Sequence, residues 1–160
     1  MAKGAGFWLA VALVPALALA GVKRDVRDAH WTTEFDPLFR KYTKHYFGAH
    51  FDWHWFKAQG IAESGLDPDA RSSAGARGII AAGIFYDRQL YRKWKKKRDI
   101  QTSERLKFAF GSYNAGYGNI LKAHKRAVGE HGQVRRWSQV DDFAPGETRH
   151  YVRRIEGLMQ

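Results

Sequence analysis

One glutamate stands where its chemistry could be unusual. Glu63 follows Trp53, Phe56 and Gly60 at intervals of three, four and three residues, so all four lie along one face of a predicted helix. A carboxyl group that continues an apolar stripe is poorly hydrated, which raises its pKa and lets it act as an acid near neutral pH. On this spacing alone, an ordinary glutamate in a last helical turn is the better interpretation.

No other acid in the sequence is a convincing partner for Glu63. Asp67 and Asp69 are the nearest in sequence, but both follow Gly65 in a segment where Asp is typical of turns. The chain has no cysteine, which excludes disulfides and thiolate metal sites. We therefore expect chemistry by a single carboxyl group, with no metal and no cofactor.

The elements that must position Glu63 are all predicted to be helices. Apolar spacing, capping residues and glycine stops predict helices over residues 36–47, 52–64, 79–94, 103–115 and 119–128, and a last one after residue 146. Residues 66–78 are rich in Asp, Pro, Ser, Ala and Gly and are predicted to be a loop. No segment alternates apolar and polar residues as a strand does. At 160 residues, the sequence predicts one all-α domain.

The N-terminal residues differ from the rest of the chain. Lys3 precedes an apolar run, and small residues at positions 18–20 suit a cleavage site, so residues 1–20 are predicted to be a signal peptide. The run is shorter than the ~20 residues that span a bilayer, and Pro15 interrupts it. Position 22 is Val22, which cannot carry a lipid on a thiol, so no stable membrane anchor is expected. Residues 21–34 are interpreted as a short, loosely packed lead-in.

The chain is strongly basic. Its formal charge of +11 attracts polyanions, whether nucleic acid, anionic lipid or a bacterial cell wall. The basic run at residues 91–98 is most simply a solvated helix end. An exported chain meets wall polymers first, and no recognised nucleic-acid-binding motif accompanies the run, so no nucleic-acid partner is expected.

Four short motifs occur in order along the chain. They are IAESGLDP at residues 61–68, ARSSAGARG at 70–78, AFGSYNAG at 109–116 and ETRHYVRRI at 147–155. Together they resemble the Glu-Ser, Gly-Ala-x-Gly, Ala-x-Tyr-Asn-Ala-Gly and Glu-Thr-x-x-Tyr-Val-x-x-Ile motifs of soluble-type lytic transglycosylases and related phage-encoded wall-degrading enzymes. One motif is a weak signal, but four in the same order are specific. The resemblance reverses the interpretation of Glu63 as an ordinary glutamate.

The resemblance implies a lysozyme-like helical domain over residues 35–160, with a cleft that binds peptidoglycan glycan strands. It implies a lyase that cleaves the MurNAc-GlcNAc β-1,4 bond and leaves a 1,6-anhydro-MurNAc end, with Glu63 as general acid and then general base. Ser64 would position the sugar, and Tyr113, Asn114 and Tyr151 would line the cleft. The substrate's N-acetyl group and C6 hydroxyl would replace a second carboxylate and water. The expected protein is monomeric and exported, in the periplasm or outside the cell, from a bacterium or a phage.

The chain departs from the family pattern after Gly78. The family continues with Leu-Met-Gln, a loop and a short helix, whereas residues 79–86 here already resemble the helix that follows, so part of one cleft wall is missing. Two alternatives therefore stay open. One is a hydrolase similar to goose-type lysozymes, which usually needs a second acid to hold water. The other is a peptidoglycan-binding protein whose catalysis is impaired.

Overall fold

The computed structural model describes residues 24–66 and 73–160. These residues form six α-helices and no strand, which confirms the all-α prediction. The helices are α1 (Asp36–Phe47), α2 (His54–Ser64), α3 (Ser73–Lys95), α4 (Arg105–Ala115), α5 (Tyr117–His131) and α6 (Gly146–Leu158). Two short 3₁₀ turns, Trp137–Gln139 and Asp141–Phe143, lie between α5 and α6.

Helix α4 is the centre of the domain. It packs against α3, α5 and α6, and its Phe108 is completely buried. Trp94 of α3 and Trp137 of the first 3₁₀ turn lie against Phe108, at ring-centroid distances of 4.9 and 5.4 Å. Buried rings of this size dominate the energetics of a core. They fix the position of α4, whose last turn carries Tyr113 and Asn114.

The ends of α1 and α2 follow the sequence closely. Gly48 ends α1 with a φ of 104°, and Gly65 ends α2 with a φ of 71°, both in the region that favours glycine. The sequence predicts Asp52 as the N-cap of α2, whereas in the structure Trp53 occupies that position. The Asp52 carboxylate still accepts the backbone N–H of His54 at 3.0 Å, so it stabilises the same helix end.

Helix α3 begins earlier than the sequence predicts. Residues 73–78 are helical, so the prediction of a loop over residues 66–78 is wrong in its second half. Ser, Ala and Gly are typical of loops, but Ala76 is buried in the core, and this packing overrides the local preference. Helix α3 then continues to Lys95, so the described residues contain no separate loop and short helix after Gly78.

The remaining helices differ from prediction only at their ends. The N-cap of α4 is Glu104 rather than Ser103, and α5 extends beyond the predicted residues 119–128 on both sides. Helix α6 begins at Gly146, one residue before the predicted start. In the basic run that ends α3, most charged side chains are exposed while Tyr91 and Trp94 are buried, as expected for a solvated helix end.

The segment before α1 is partly packed. Val26 is completely buried, and its backbone N–H donates to the carbonyl of Leu158 at 2.7 Å. Loose packing is therefore a wrong prediction at Val26, because this contact ties the lead-in to the end of α6. The predicted signal peptide, residues 1–20, and also Asp67 and Asp69, lie outside the described residues.

None of the helices in the described part of the chain is both long and apolar enough to cross a membrane.

Candidate active site

Glu63 lies in the last turn of α2, and its carboxyl receives a hydrogen bond from another helix. The Tyr151 hydroxyl of α6 donates to Glu63 Oε1 at 3.0 Å, across 88 residues of sequence. The residue as a whole is exposed, but protein atoms surround its carboxyl. Burial raises the pKa of this carboxyl, and the hydrogen bond from Tyr151 lowers it by less. The predicted rise in pKa is confirmed, and the acid remains accessible from the surface.

The apolar residues on this face of α2 serve mainly to pack the helix against the core. Phe56 is buried, and Gly60 allows two core side chains to approach closely. A Cβ at Gly60 would lie 2.9 Å from Leu66 Cδ2 and 3.2 Å from Phe39 Cζ, so a larger residue would push these groups away. The side chain that hydrogen-bonds to Glu63, and the side chains whose pKa values respond to its charge, lie instead on the facing helices.

Tyr113 of α4 is one of these groups. Burial raises the pKa of its phenol, and the negative charges of Glu63 and Asp87 raise it further, so the hydroxyl stays neutral and can donate a hydrogen bond. Its ring lies against Tyr86 of α3 at a centroid distance of 5.6 Å. Gly83, also on α3, faces this hydroxyl, and a Cβ there would make an ordinary contact with it at 3.6 Å.

Tyr151 is held neutral for the same reasons. Burial raises its pKa well above the usual value, and the charges of Glu63 and Asp87 act in the same direction. A neutral phenol is a hydrogen-bond donor, which agrees with its contact to Glu63. The structure therefore places Tyr151 in a hydrogen bond with the Glu63 carboxyl, and it places Tyr113 close enough for the charge of Glu63 to shift its pKa.

Ser64 and Asn114 make contacts within the protein. The Ser64 hydroxyl donates to the carbonyl of Gly60 at 3.2 Å and accepts the N–H of Leu66 at 3.4 Å, where α2 ends. Asn114 Oδ1 accepts the Thr148 hydroxyl at 2.7 Å, which joins α4 to α6. Both residues are exposed. Their roles toward a sugar stay predictions.

Two buried polar groups beside Glu63 are absent from the sequence-based site. Asp87 of α3 is completely buried, and Gln59 of α2 is 5% exposed. Gln59 Nε2 donates to Asp87 Oδ1 at 3.4 Å. Burial raises the pKa of Asp87 well above its usual value, the charge of Glu63 raises it further, and the bond from Gln59 lowers it. Both burial and the charge of Glu63 therefore favour the protonated form of Asp87.

A signal for both groups exists in the sequence. Gln59 precedes Glu63 by four residues, which places both on one face of α2. Asp87 follows the buried Ile84 by three residues and precedes the buried Trp94 by seven, so it falls on the core face of α3. Asp87 is therefore an acid near Glu63 that the sequence analysis did not consider.

A cation of α6 fixes the end of α2 that carries the acid. Arg154 Nη1 donates to the carbonyl of Ala62 at 3.2 Å, next to Glu63 in the chain. A positive group is favourable at a helix C-terminus.

Across residues 24–66 and 73–160, no three His, Asp or Glu side chains come together as metal ligands would.

The arrangement can transfer a proton in both directions. One accessible carboxyl has a raised pKa, so it keeps its proton to higher pH than an ordinary glutamate and can ionise on donation. Two neutral tyrosines beside it, Tyr113 and Tyr151, can donate to the ionised form or to a bound ligand. These are the groups that acid–base catalysis by a single carboxyl group requires.

Comparison with known proteins points to one class. The chain is similar to proteins named membrane-bound lytic murein transglycosylase F from Vibrio cholerae (29% identical over 143 residues, 76% of this chain), Vibrio parahaemolyticus (28% over 131 residues, 68%) and Salmonella choleraesuis (29% over 134 residues, 70%). The matches cover 25%, 24% and 25% of these relatives, so the chain spans about a quarter of their length. No protein-family model matches the chain, and no solved structure matches it. The likeness supports a lytic transglycosylase domain.

Proposed function

We propose that the chain is a peptidoglycan lytic transglycosylase that cleaves the MurNAc-GlcNAc β-1,4 bond. Glu63 donates its proton to the glycosidic oxygen as the bond from that oxygen to C1 of MurNAc breaks. The substrate's N-acetyl group stabilises the cationic centre at C1. The Glu63 carboxylate then takes the proton of the C6 hydroxyl as O6 bonds to C1, which closes the 1,6-anhydro ring. No water is consumed, and Glu63 ends as it began.

The observation that carries this proposal is the state of the Glu63 carboxyl. Burial raises its pKa, which favours the protonated form, and Tyr151 donates to it at 3.0 Å, which favours the ionised form after proton transfer. The two influences oppose each other, so neither protonation state is strongly excluded. A residue that must act first as acid and then as base needs this balance.

The same proposal assigns binding roles to the remaining predicted residues. Tyr113 and Tyr151 present neutral hydroxyls to a glycan, and Ser64 and Asn114 are exposed beside them. The formal charge of +11 favours adsorption to an anionic wall. We propose that the protein is exported, acts as a monomer on peptidoglycan in the periplasm or outside the cell, and derives from a bacterium or a phage.

The identity of the released fragments tests the reaction. Purified peptidoglycan is digested with the protein, and the soluble products are analysed by mass spectrometry. A transglycosylase releases anhydro-muropeptides, lighter by one water than the products of a lysozyme. Reducing-end muropeptides would instead identify a hydrolase, and binding without release would identify a wall-binding protein.

The two alternatives have different support from the site. Asp87 is a second carboxyl beside Glu63, but it is completely buried and so is badly placed to hold an attacking water at a glycan. The uninterrupted α3 lacks the family's loop and short helix, which favours weak substrate positioning. Misplacement by about 1 Å can lower a rate by about 10²-fold. A slow transglycosylase is therefore expected rather than a hydrolase.

A further inference from the structure

A carboxyl group is buried where an apolar side chain would pack at lower cost. Asp87 lies on the core face of α3 with no exposed surface. Its Oδ1 accepts from Gln59, whereas Oδ2 has no hydrogen-bond partner among the described residues. An unsatisfied buried polar atom costs about 1–3 kcal/mol. Packing alone gives no reason for an acid here, so its contact with Gln59 is the feature to explain.

Gln59 connects Asp87 to the proposed catalytic acid. It lies one turn before Glu63 on α2, and its amide donates to Asp87 Oδ1 at 3.4 Å. Gln59 also lowers the pKa of Tyr151 through a side-chain hydrogen bond, by less than burial and the charges of Glu63 and Asp87 raise it, so the amide of Gln59 lies close to the Tyr151 hydroxyl. The Tyr151 hydroxyl donates in turn to Glu63 Oε1 at 3.0 Å. Gln59 of α2 therefore lies between Asp87 of α3 and the Tyr151 hydroxyl of α6, which contacts Glu63.

We propose that Asp87, acting through Gln59, is a positioning residue that holds the Tyr151 hydroxyl against the Glu63 carboxyl. The inference rests on the proposed role of Glu63 and adds a second layer behind it. With one N–H of the Gln59 amide donated to Asp87 Oδ1, the second N–H is available to donate to the Tyr151 oxygen. An oxygen that accepts from Gln59 turns its own hydrogen toward Glu63.

The role requires Asp87 to be neutral. The titratable groups that face it are Glu63, Tyr113 and Tyr151, and the nearby Arg154 binds the Ala62 carbonyl rather than Asp87. Burial and the charge of Glu63 both oppose ionisation of Asp87, so its pKa lies well above the usual value. An acid that stays protonated can orient Gln59 without adding charge to the site.

Two substitutions at Asp87 separate orientation from charge. Asp87→Asn keeps an oxygen that accepts from Gln59 and cannot ionise, so turnover and its pH dependence are expected to remain close to those of the unchanged protein. Asp87→Leu fills similar space without an acceptor, so Gln59 and Tyr151 lose their orientation. We expect kcat to fall about 10- to 10²-fold with little change in KM, because the lost geometry matters in the transition state.

The pH at which Glu63 ionises provides a readout that does not depend on activity. Carbon-detected NMR follows the side-chain carboxyls of Glu63 and Asp87 while the pH of the protein is raised. The bond from Tyr151 lowers the pKa of Glu63, so its weakening in Asp87→Leu should raise the midpoint of Glu63. In the unchanged protein, Asp87 should remain protonated through that midpoint, and Asp87→Asn should leave the midpoint unmoved.

Gln59→Met is the second variant, for use if Asp87→Leu does not fold. It removes the same connection at its centre and should raise the Glu63 midpoint in the same direction. An unmoved midpoint and full turnover in Asp87→Leu, or in Gln59→Met, would overturn the proposal. A lowered Glu63 midpoint in Asp87→Asn would show that Asp87 is charged and would also overturn it. If the unchanged protein released no fragments, the proposed function would fail, while the titration would still decide this inference.

Discussion

The close approach of Trp137 to Gly111 predicts a cost in stability for adding one methyl group at this glycine. Gly111 lies on α4 facing Trp137, and a Cβ there would be 2.5 Å from Cη2 and 2.8 Å from Cζ3 of the indole. Ordinary carbon contacts are about 3.5–4.0 Å, so the ring must move by close to 1 Å. Trp137 is 2% exposed, lies edge-on to Phe108, and donates its backbone N–H to Glu104 Oε2 at 2.9 Å. The ring is therefore held on several sides.

Two effects of opposite sign decide the stability of Gly111→Ala. Overpacking a well-filled core costs about 1–3 kcal/mol, whereas replacing glycine by alanine inside a helix stabilises it by up to about 1 kcal/mol. Because Trp137 cannot retreat into open space, we expect the overpacking to win, with a net loss of about 1–2 kcal/mol. For a domain of this size, that lowers Tm by roughly 2–8 °C.

The matched control is Gly129→Ala on α5, where a Cβ would meet nothing within 4 Å. There only the gain in helix propensity remains, so Tm should rise by up to roughly 4 °C. Thermal and urea unfolding of both variants measure the difference. If Gly111→Ala were as stable as Gly129→Ala, the packing of Trp137 on α4 would be wrong.

Two further predictions concern protonation. Tyr151→Phe removes the hydrogen bond that lowers the pKa of Glu63. The loss of activity at high pH should therefore move to higher pH, and kcat should fall about tenfold. The control is Tyr117→Phe, which alters a ring that packs on Trp94 and should change neither the pH dependence nor kcat. Burial, and then the charge of Lys97, lower the pKa of His124 below 6.5, so the unfolded chain binds this proton more readily and stability should fall as the pH drops below about 6.5. In His124→Leu, Tm measured between pH 8 and pH 5 should fall less steeply than in the unchanged protein, and an identical slope would contradict this.

The helices were largely predictable because their spacing is local information. The ends of α1 and α2 depend on the glycines at positions 48 and 65, and the apolar spacing of α1, α2 and α6 depends on residues a few positions apart. The sequence therefore predicts the positions of these helices well. The start of α3 was not predictable in this way. Ala76 is buried by other helices, and that tertiary contact outweighs the loop preference of the glycines and serines around it.

The site was predictable only in part for the same reason. Periodicity places Glu63 on a partly apolar face, but its bond to Tyr151 spans 88 residues and no local pattern predicts it. The resemblance to the family motifs identified Tyr151 as a site residue, but those motifs do not include Asp87 or Gln59. Their burial depends on how α2, α3 and α6 meet, although the position of Asp87 between buried residues of α3 was a readable sign.

The catalytic role of Glu63 is tested most directly by comparing Glu63→Gln with the unchanged protein on purified peptidoglycan. Glutamine keeps the shape and can accept from Tyr151, but it cannot transfer a proton, a contribution of about 10²- to 10⁴-fold. Glu130→Gln, an exposed change on α5 with the same loss of charge, is the control. We expect release of anhydro-muropeptides to be lost in Glu63→Gln and retained in Glu130→Gln, while both variants fold and bind the wall. Undiminished release by Glu63→Gln would contradict the catalytic role of this residue.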